Sequence, residues 1–173
     1  INALFHSSSG GMTENSEDVW KNSYPYLISV KDYDQKNPKL YWKKSFKNKE
    51  LELLFPNIGA IKNIEISDLS ETGRIKNIKL IGNYGSTYIS GTNFRNKLGL
   101  KSTLFNLKFT RNINHKEETK DFSLLIYGRG SGHGVGMSQW GARYMALRGY
   151  KAEDILKYFY RNVQLKPFKN IYK

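Results

Sequence analysis

The segment that most restricts how this chain can fold is a run in which every second residue is glycine. It contains Gly128, Gly130, Gly132, Gly134 and Gly136. An apolar stretch ends before the run at Tyr127, and a helical pattern begins after it near Met137. Glycine is costly in conformational entropy and is kept where the backbone needs a positive φ angle or a close approach to other atoms. We therefore predict a tight strand-to-helix connection that packs against another segment or a ligand.

The polar side chains of this run favour a binding role. They are Arg129, His133, Ser138 and Gln139, and each can form hydrogen bonds with a hydroxylated ligand such as a sugar. A phosphate-binding loop is disfavoured because the Lys-Ser/Thr pair of that motif is absent. The alternative is structural: the glycines form a buried corner, Ser138 caps the following helix, and His133 is a hydrogen-bonded buried imidazole.

A second polar cluster lies near the N-terminus, at the end of a predicted strand. It consists of His6, Ser7, Ser8, Ser9, Gly10 and Gly11. Serine-hydrolase chemistry is disfavoured because the strained G-x-S-x-G elbow is absent, and the histidine spacings typical of zinc sites are absent too. Three carboxylates follow at Glu14, Glu17 and Asp18. We predict helix-capping or surface roles for them.

Hydrophobic periodicity predicts an α+β fold. It is mainly an antiparallel β-sheet or barrel-like region with a few short helices, two of them near the C-terminus. Strands are predicted over residues 1–7, 26–32, 122–128 and 163–169, with several more between 61 and 109. Helices are predicted over 47–55, 93–100, 137–148 and 152–161, and a polar hairpin loop over 111–121. We treat 1–173 as a single domain with a β-rich subregion at 61–110.

The charge balance favours an anionic partner. Lys and Arg total 28 against 15 Asp and Glu, so the net charge is +13. Such a surface attracts nucleic acids, membrane headgroups or cell-wall polymers, although solvated lysines alone also produce this charge. The absence of cysteine excludes disulfides, thiolate nucleophiles and Cys-ligated zinc within this sequence. The sequence starts at Ile1 inside a predicted strand, which favours a processed or truncated product.

Two stretches together resemble one known family. FHSSSGG at 5–11 and GRGSGHGVGMSQWGA at 128–142 are similar to the pattern of the stage II sporulation protein D family. Members are peptidoglycan lytic transglycosylases and share a domain with proteins described as amidase enhancers. The order of the two stretches agrees, and looser similarity spans nearly the whole chain. One departure is Ser131, where the family often has an aromatic residue.

The resemblance implies an enzyme of cell-wall remodelling during sporulation and engulfment. Such an enzyme cleaves the β-1,4 bond between N-acetylmuramic acid and N-acetylglucosamine in glycan strands stripped of stem peptides, and forms 1,6-anhydro products. The family's catalytic acid is a glutamate upstream of the FHSSSGG region, followed by Met-Pro, so we predict no catalytic residue in this chain. Zinc, where family members carry it, is expected on upstream cysteine and histidine residues, and we predict no metal or cofactor site here.

The resemblance also implies a substrate-binding role for residues of both stretches. These are His6, Ser7, Ser8, Ser9, Gly10, Gly11, Arg129, Gly132, His133, Gly134, Gly136, Ser138 and Gln139. Trp20, Tyr127 and Trp140 are candidate stacking surfaces for sugars, or alternatively core residues.

Glycan strands are the expected partner, together with an amidase or endopeptidase and a membrane protein of the engulfment machinery. The implied location is extracytoplasmic, at the sporulation septum, with an upstream membrane anchor. The alternative function is a non-catalytic glycan-binding or amidase-enhancing module. Nucleic-acid binding is disfavoured because no ribonucleoprotein aromatic motif or zinc finger is present.

Overall fold

The computed structural model describes residues 1–20, 22–113 and 120–166. Its strands are β1 (Phe5–His6), β2 (Tyr41–Lys47), β3 (Ile61–Leu69), β4 (Ile75–Gly82), β5 (Gly85–Ser90), β6 (Phe105–Ile113), β7 (Lys120–Arg129) and β8 (Met137–Ser138). Its helices are α1 (Ser16–Val19), α2 (Asn48–Leu54), α3 (Gly91–Leu98), α4 (Gln139–Leu147) and α5 (Ala152–Phe159), with a 3-10 turn at Pro56–Ile58.

The described strands form three small sheets. One has the strand order β2-β7-β6 and another β3-β4-β5, both antiparallel throughout. The third is a parallel pair of β1 and β8. The α+β class, the dominance of antiparallel pairing and the two helices near the C-terminus are therefore as predicted from the sequence.

The larger hydrophobic core lies where the two antiparallel sheets meet α2 and α3. Trp42, Phe105 and Ile126 come from the first sheet, and Ile78 comes from the second. Phe94 of α3 is fully buried among them and stacks on Phe105, with ring centroids 5.9 Å apart. This packing fixes one face of each sheet and leaves the opposite face to solvent.

A second, smaller core lies around the two C-terminal helices. Leu27, Val135 and Phe159 are buried in it, together with Met145 and Tyr160. The Tyr160 hydroxyl donates to the Leu4 carbonyl at 2.7 Å. The C-terminal helices therefore support the segment that carries β1.

The strand predicted over residues 26–32 is wrong. This segment runs beside residues 11–16, where an isolated bridge joins Met12 and Lys31. The Val30 amide donates to the Thr13 side-chain oxygen, and the Ser29 amide donates to the Asn15 side-chain oxygen. Because side-chain oxygens take these amides, a regular backbone ladder does not form.

Several predicted boundaries also differ. The N-terminal strand is limited to Phe5–His6 instead of 1–7. Strand β7 continues to Arg129, and α4 begins at Gln139 because residues 137–138 belong to β8. Residues 163–166 form no strand. The rest of that predicted strand, and most of the polar loop at 111–121, lie outside the described residues. None of the described helices has the length and apolar character that crossing a membrane requires.

Candidate functional site

The two glycine-containing motifs meet in space. His6 pairs with Ser138 in the parallel ladder of β1 and β8. Ser8 and Ser131 exchange backbone hydrogen bonds of 3.1 and 2.7 Å. The ring centroids of His6 and His133 are 5.5 Å apart. A segment near residue 6 and a loop near residue 133 thus form one structural unit.

The glycines of the loop allow this close packing. Gly130, Gly132, Gly134 and Gly136 all have positive φ angles. A Cβ atom at Gly136 would lie 2.2 Å from the Leu4 carbonyl oxygen, and one at Gly132 would lie 2.7 Å from the His6 Cβ. Real Cβ atoms do not approach other atoms so closely. The loop therefore fits the structural alternative, a buried corner, and its ligand-contacting role stays a prediction.

Two serines of the N-terminal motif hold a pair of buried aspartates. The Ser9 hydroxyl donates to Asp32 Oδ2 at 2.5 Å, and the Ser8 hydroxyl donates to Asp34 Oδ2. The Gly10 amide adds a bond of 2.8 Å to the same Asp34 oxygen. Burial raises the pKa of Asp32, and hydrogen bonds from Ser138 and Ser9 oppose that shift. The motif thus organises a buried acidic pair that the sequence pattern did not reveal.

Ser138 is the N-cap of α4. Its hydroxyl accepts from the Gly141 amide at 3.1 Å, and its side chain is fully buried. A Cβ atom at Gly141 would lie 1.8 Å from Asp32 Oδ1, so Gly141 lets the first turn of α4 approach this carboxylate. Ser138 therefore has the capping role that the sequence offered as its structural alternative.

Both histidines are neutral and their tautomers are defined by their partners. His6 Nδ1 donates to the Val135 carbonyl, and its buried Nε2 has no hydrogen-bond partner among the residues that the structure describes. His133 Nε2 donates to the Phe5 carbonyl, while its Nδ1 accepts from the Val135 amide. Burial lowers the pKa of His6 to about 3 and lowers the pKa of His133. Neither imidazole is a cation at neutral pH.

Glu14 and Arg74 form a buried ion pair next to His133. Glu14 is 1% exposed and Arg74 is 2% exposed, with 3.7 Å between Arg74 Nε and Glu14 Oε2. The Ser70 and Thr72 hydroxyls donate to the same Glu14 oxygen at 2.6 and 2.5 Å. Burial lowers the pKa of Arg74 to about 10, and Glu14 opposes the shift. The helix-capping or surface role predicted for Glu14 is therefore wrong, because Glu14 is buried and the N-cap of α1 is Asn15.

The neighbouring acidic residues differ from Glu14. Glu17 is exposed, as predicted. Asp18 is partly buried and accepts a 2.9 Å hydrogen bond from Lys76 Nζ. Arg74 and Lys76 were not found from the sequence, because each is a single basic residue in an ordinary strand pattern whose acidic partner is more than 50 positions away.

A cleft of about 470 Å³ opens beside this ion pair, and we call it the polar cleft. Its lining includes Glu14, Asp18, Trp20, Arg74, Lys76, Ser90, Asn93, Arg95, Asn96 and His133. The Trp20 and His133 rings are in contact, with centroids 5.1 Å apart. The two carboxylates of the lining are both in ion pairs, Glu14 with Arg74 and Asp18 with Lys76. Arg95 is therefore the cation in the lining that lacks a carboxylate partner among the described residues.

Most of the predicted contact residues do not line the polar cleft. Among the predicted contact residues, His133 lines the polar cleft. His6, Ser8, Ser9, Gly10, Gly134, Gly136 and Ser138 are buried, whereas Ser7, Gly11 and Gly132 are partly buried. The Ser7 carbonyl accepts from the Trp140 amide at the start of α4. Gln139 and Arg129 are exposed, and Arg129 lines a separate groove.

A metal site is not evident in the described residues. They contain no group of three or more histidine, cysteine, aspartate or glutamate side chains arranged to hold an ion. The buried carboxylates instead accept hydrogen bonds from serine and threonine hydroxyls and from backbone amides. The zinc considered from the family resemblance concerns upstream residues and stays a prediction.

The fold and the cleft define a class of protein: an α+β protein with a polar, partly cationic cleft beside a buried glycine corner. The comparisons with known proteins are more specific. Residues 42–136 match a family model described as "Domain of unknown function (DUF8618)". Stage II sporulation protein D of Bacillus subtilis (strain 168) is 36% identical in an alignment of 172 positions that covers 95% of this chain. The protein of the same name from Bacillus amyloliquefaciens is 35% identical over the same share.

The chain belongs to the family of this domain of unknown function, and over 95% of its length it is similar to stage II sporulation protein D. It is also similar to an amidase enhancer of Bacillus subtilis (strain 168), with 29% identity over 97% of this chain. The chain spans 45% of the length of the two sporulation proteins and 30% of the amidase enhancer. Their names associate the family with sporulation and with the enhancement of an amidase.

Proposed function

We propose that this chain forms the substrate-binding part of a peptidoglycan lytic transglycosylase that acts in cell-wall remodelling during sporulation. The substrate is a glycan strand stripped of stem peptides. The bond cleaved joins N-acetylmuramic acid to N-acetylglucosamine, and the product carries a 1,6-anhydro ring. The observation that carries the proposal is the polar cleft beside the junction of the two motifs.

The lining of the polar cleft is suited to a sugar ligand. Trp20 presents an aromatic surface, and Ser90, Asn93 and Asn96 supply neutral hydrogen-bonding groups. Hydroxylated rings need both kinds of contact, because each ring has apolar C–H faces and a polar edge. Arg95 adds a cation suited to the lactyl carboxylate of muramic acid, and such charge-assisted hydrogen bonds are the stronger ones.

The acid of the reaction is proposed to lie outside this sequence. A lytic transglycosylase needs one carboxylic acid to protonate the leaving oxygen and then assist attack by the muramyl 6-hydroxyl. Glu14 is the buried carboxylate of the cleft, but both its oxygens accept hydrogen bonds from protein donors: Asn15 at one, and Ser70 and Thr72 at the other. Glu14 is also only 1% exposed and is paired with Arg74, so we assign it the role of holding Arg74 instead of the acid.

The second candidate function is a non-catalytic glycan-binding module that enhances an amidase. The similarity to a protein named amidase enhancer, over 97% of this chain, favours it. The engagement of Glu14 in the buried ion pair is equally compatible with it. In this alternative the polar cleft binds the strand and another enzyme carries out the cleavage.

The two candidates are distinguished by incubating the purified protein with denuded glycan strands. Binding is measured by calorimetry, and 1,6-anhydro products are sought by mass spectrometry. We expect binding without product from these 173 residues, and product from a longer form that includes the upstream segment. Binding without product from the longer form as well supports the module. Product from the 173 residues alone contradicts the upstream position of the acid.

The contribution of the cleft is tested with Arg95→Gln. We expect weaker binding of muramyl-containing strands and unchanged binding of neutral N-acetylglucosamine oligomers. Arg148→Gln is the matched control, because Arg148 is exposed and contacts the Tyr144 ring on α4, away from the cleft. Equal effects of the two substitutions contradict a specific role for the cleft and indicate non-specific attraction by the net charge of +13.

The cellular setting is proposed from the family. We place the protein outside the cytoplasm at the sporulation septum, anchored through an upstream segment. An amidase or endopeptidase that strips stem peptides is its proposed functional partner, and a membrane protein of the engulfment machinery is a second. Nucleic acid is not proposed as a partner.

A further inference from the structure

A second groove lies on the other side of the β3–β4 turn from the polar cleft. Its volume is about 520 Å³, within the 300–1,000 Å³ range of typical ligand sites. Tyr41, Thr72, Gly73, Asn106, Tyr127 and Arg129 are among its lining residues. We call it the sheet groove, and nothing in the proposed function uses it.

The register of the β2-β7-β6 sheet places aromatic, cationic and amide side chains together in this groove. Tyr41 is the cross-strand partner of Arg129. Two residues along, Tyr127 lies between Lys43 of β2 and Asn106 of β6. Side chains at cross-strand positions and two residues apart lie on the same face of a sheet. This is the solvent face, because the intervening Trp42, Gly128 and Ile126 face the core.

Both tyrosines of the groove are exposed to solvent. Tyr41 is 74% exposed and Tyr127 is 46% exposed, although each carries a large apolar ring. Lys43 Nζ lies 5.4 Å from the centroid of the Tyr127 ring. The side chains described on this face of the sheet include no carboxylate. Adjacent exposed rings with cations and without acidic groups mark a binding surface for an anionic ligand with flat apolar faces.

The groove and the polar cleft are separated by one turn. Ser70 and Arg74 line the cleft, whereas Thr72 and Gly73 line the groove. Thr72 lines the groove and its hydroxyl donates to Glu14, which lines the cleft. The polar cleft and the sheet groove therefore border on the same β3–β4 turn.

We propose that the sheet groove is a second binding subsite for the same glycan strand, with Tyr41 and Tyr127 stacking on sugar rings and Arg129 binding a muramyl carboxylate. This inference rests on the proposed function, because it takes the polymer in the cleft to be glycan. Single-stranded nucleic acid also combines stacking with negative charge. The turn that the groove shares with the cleft favours glycan, and nucleic acid is an outcome of the test.

The test compares denuded glycan fragments of increasing length, from a disaccharide to long strands. A disaccharide fills only the polar cleft, whereas a long strand spans both sites. We expect the double variant Tyr41→Ala, Tyr127→Ala to weaken binding of long strands about tenfold, and to change disaccharide binding by less than about twofold. Arg129→Gln is expected to weaken binding of muramyl-containing strands and to leave neutral N-acetylglucosamine oligomers of equal length unaffected.

Tyr88→Ala is the matched control. Tyr88 is 67% exposed on β5 of another sheet, and Lys79 Nζ lies 5.9 Å from its ring centroid. Its substitution is expected to leave all affinities unchanged. Thermal unfolding of each variant shows that the exposed substitutions preserve the fold.

The outcomes separate this inference from the proposed function. If the unsubstituted protein binds disaccharide but the double variant binds long strands normally, the sheet groove is not a subsite and the proposed function stands. An equal loss for short and long fragments, or an equal effect of Tyr88→Ala, also overturns the subsite. Loss of single-stranded DNA binding with glycan binding intact assigns the groove to nucleic acid instead. Failure of the unsubstituted protein to bind glycan of any length overturns both proposals.

Discussion

Gly136 illustrates how a single residue determines the local packing at the centre of this molecule. Its φ angle is +73°, and the space where a Cβ would lie is taken by the Leu4 carbonyl oxygen. Any other residue at this position would therefore suffer two effects, backbone strain and a direct clash of its Cβ atom. The loop and β1 approach each other closely because this side chain is missing.

Replacing Gly136 with alanine is expected to destabilise the protein more than the same change at Gly149. Gly149 also has a positive φ angle, +87°, but nothing lies within 4 Å of its missing Cβ. Strain alone costs about 1 kcal/mol at Gly149, and the clash raises the loss at Gly136 to about 3 kcal/mol or more. Urea unfolding measures both. Equal losses would show that the contact with Leu4 relaxes freely.

At the residue scale the sequence identified the important positions but not their roles. His6, Ser8 and Ser9 were predicted to contact a glycan, yet their described polar contacts are with the protein itself. Their partners, such as Asp32, are more than 20 residues away in the sequence. A side chain's role depends on which groups surround it, and local patterns do not report groups brought together by folding.

At the element scale, two helices begin with a serine cap in very different surroundings. Ser90 caps α3 by accepting from the Asn93 amide at 3.2 Å, in an exposed contact. Ser138 caps α4 by accepting from the Gly141 amide, in a buried contact beside Asp32. The same local motif therefore has different consequences in the two helices.

Ser138→Ala is expected to cost more stability than Ser90→Ala. Loss of an exposed cap costs about 1 kcal/mol. Loss of the Ser138 hydroxyl also removes a hydrogen bond from the buried Asp32, so we expect about 2 to 3 kcal/mol. The free energies of unfolding from chemical denaturation provide the comparison. A smaller loss at Ser138 would mean that another donor replaces its hydroxyl.

Local signals predicted most helices and failed for one extended segment. Pro56 and the apolar spacing before it placed α2, and the interruption of the strand pattern after Ser90 placed α3. Residues 26–32 have an equally good apolar pattern for a strand, but the amides of Ser29 and Val30 bond to side chains of the neighbouring segment. A helix satisfies its own backbone groups, whereas a strand depends on a partner that local sequence does not specify.

At the scale of the whole molecule, charge is distributed very unevenly between interior and surface. The net charge of +13 belongs to an exposed surface rich in lysine. The interior beside the cleft contains Asp32, Asp34, Glu14 and Arg74, together with the neutral His6. Burying ionisable groups couples global stability to pH, because their pKa values differ between the folded and unfolded chain.

Global stability is expected to fall as the pH decreases below about 6.5, through His6. Its pKa is about 3 in the folded protein against 6.5 in the unfolded chain. Between these values the unfolded chain binds the extra proton, so acid favours unfolding, by up to about 1.4 kcal/mol per pH unit. His6→Gln keeps a donor for the Val135 carbonyl and removes the titration.

The measurement is the free energy of unfolding of both proteins between pH 4 and 7. The variant is expected to show the shallower dependence. Asp32 has a raised pKa, so above the ordinary pKa of aspartate its protonation stabilises the folded protein as the pH falls, which is opposite to the effect of His6. Asp32 is present in both proteins, so its contribution cancels in the comparison. Identical slopes would show that His6 is protonated in the folded protein as readily as in the unfolded one.

The sequence by itself determined the α+β class and the main helices, because periodicity and capping residues act over short distances. The tertiary structure alone decided the polar cleft, the Glu14–Arg74 pair, the aspartates under Ser8 and Ser9, and the sheet groove. Each of these joins side chains from separate segments whose contact energy exists only once burial removes water from between them.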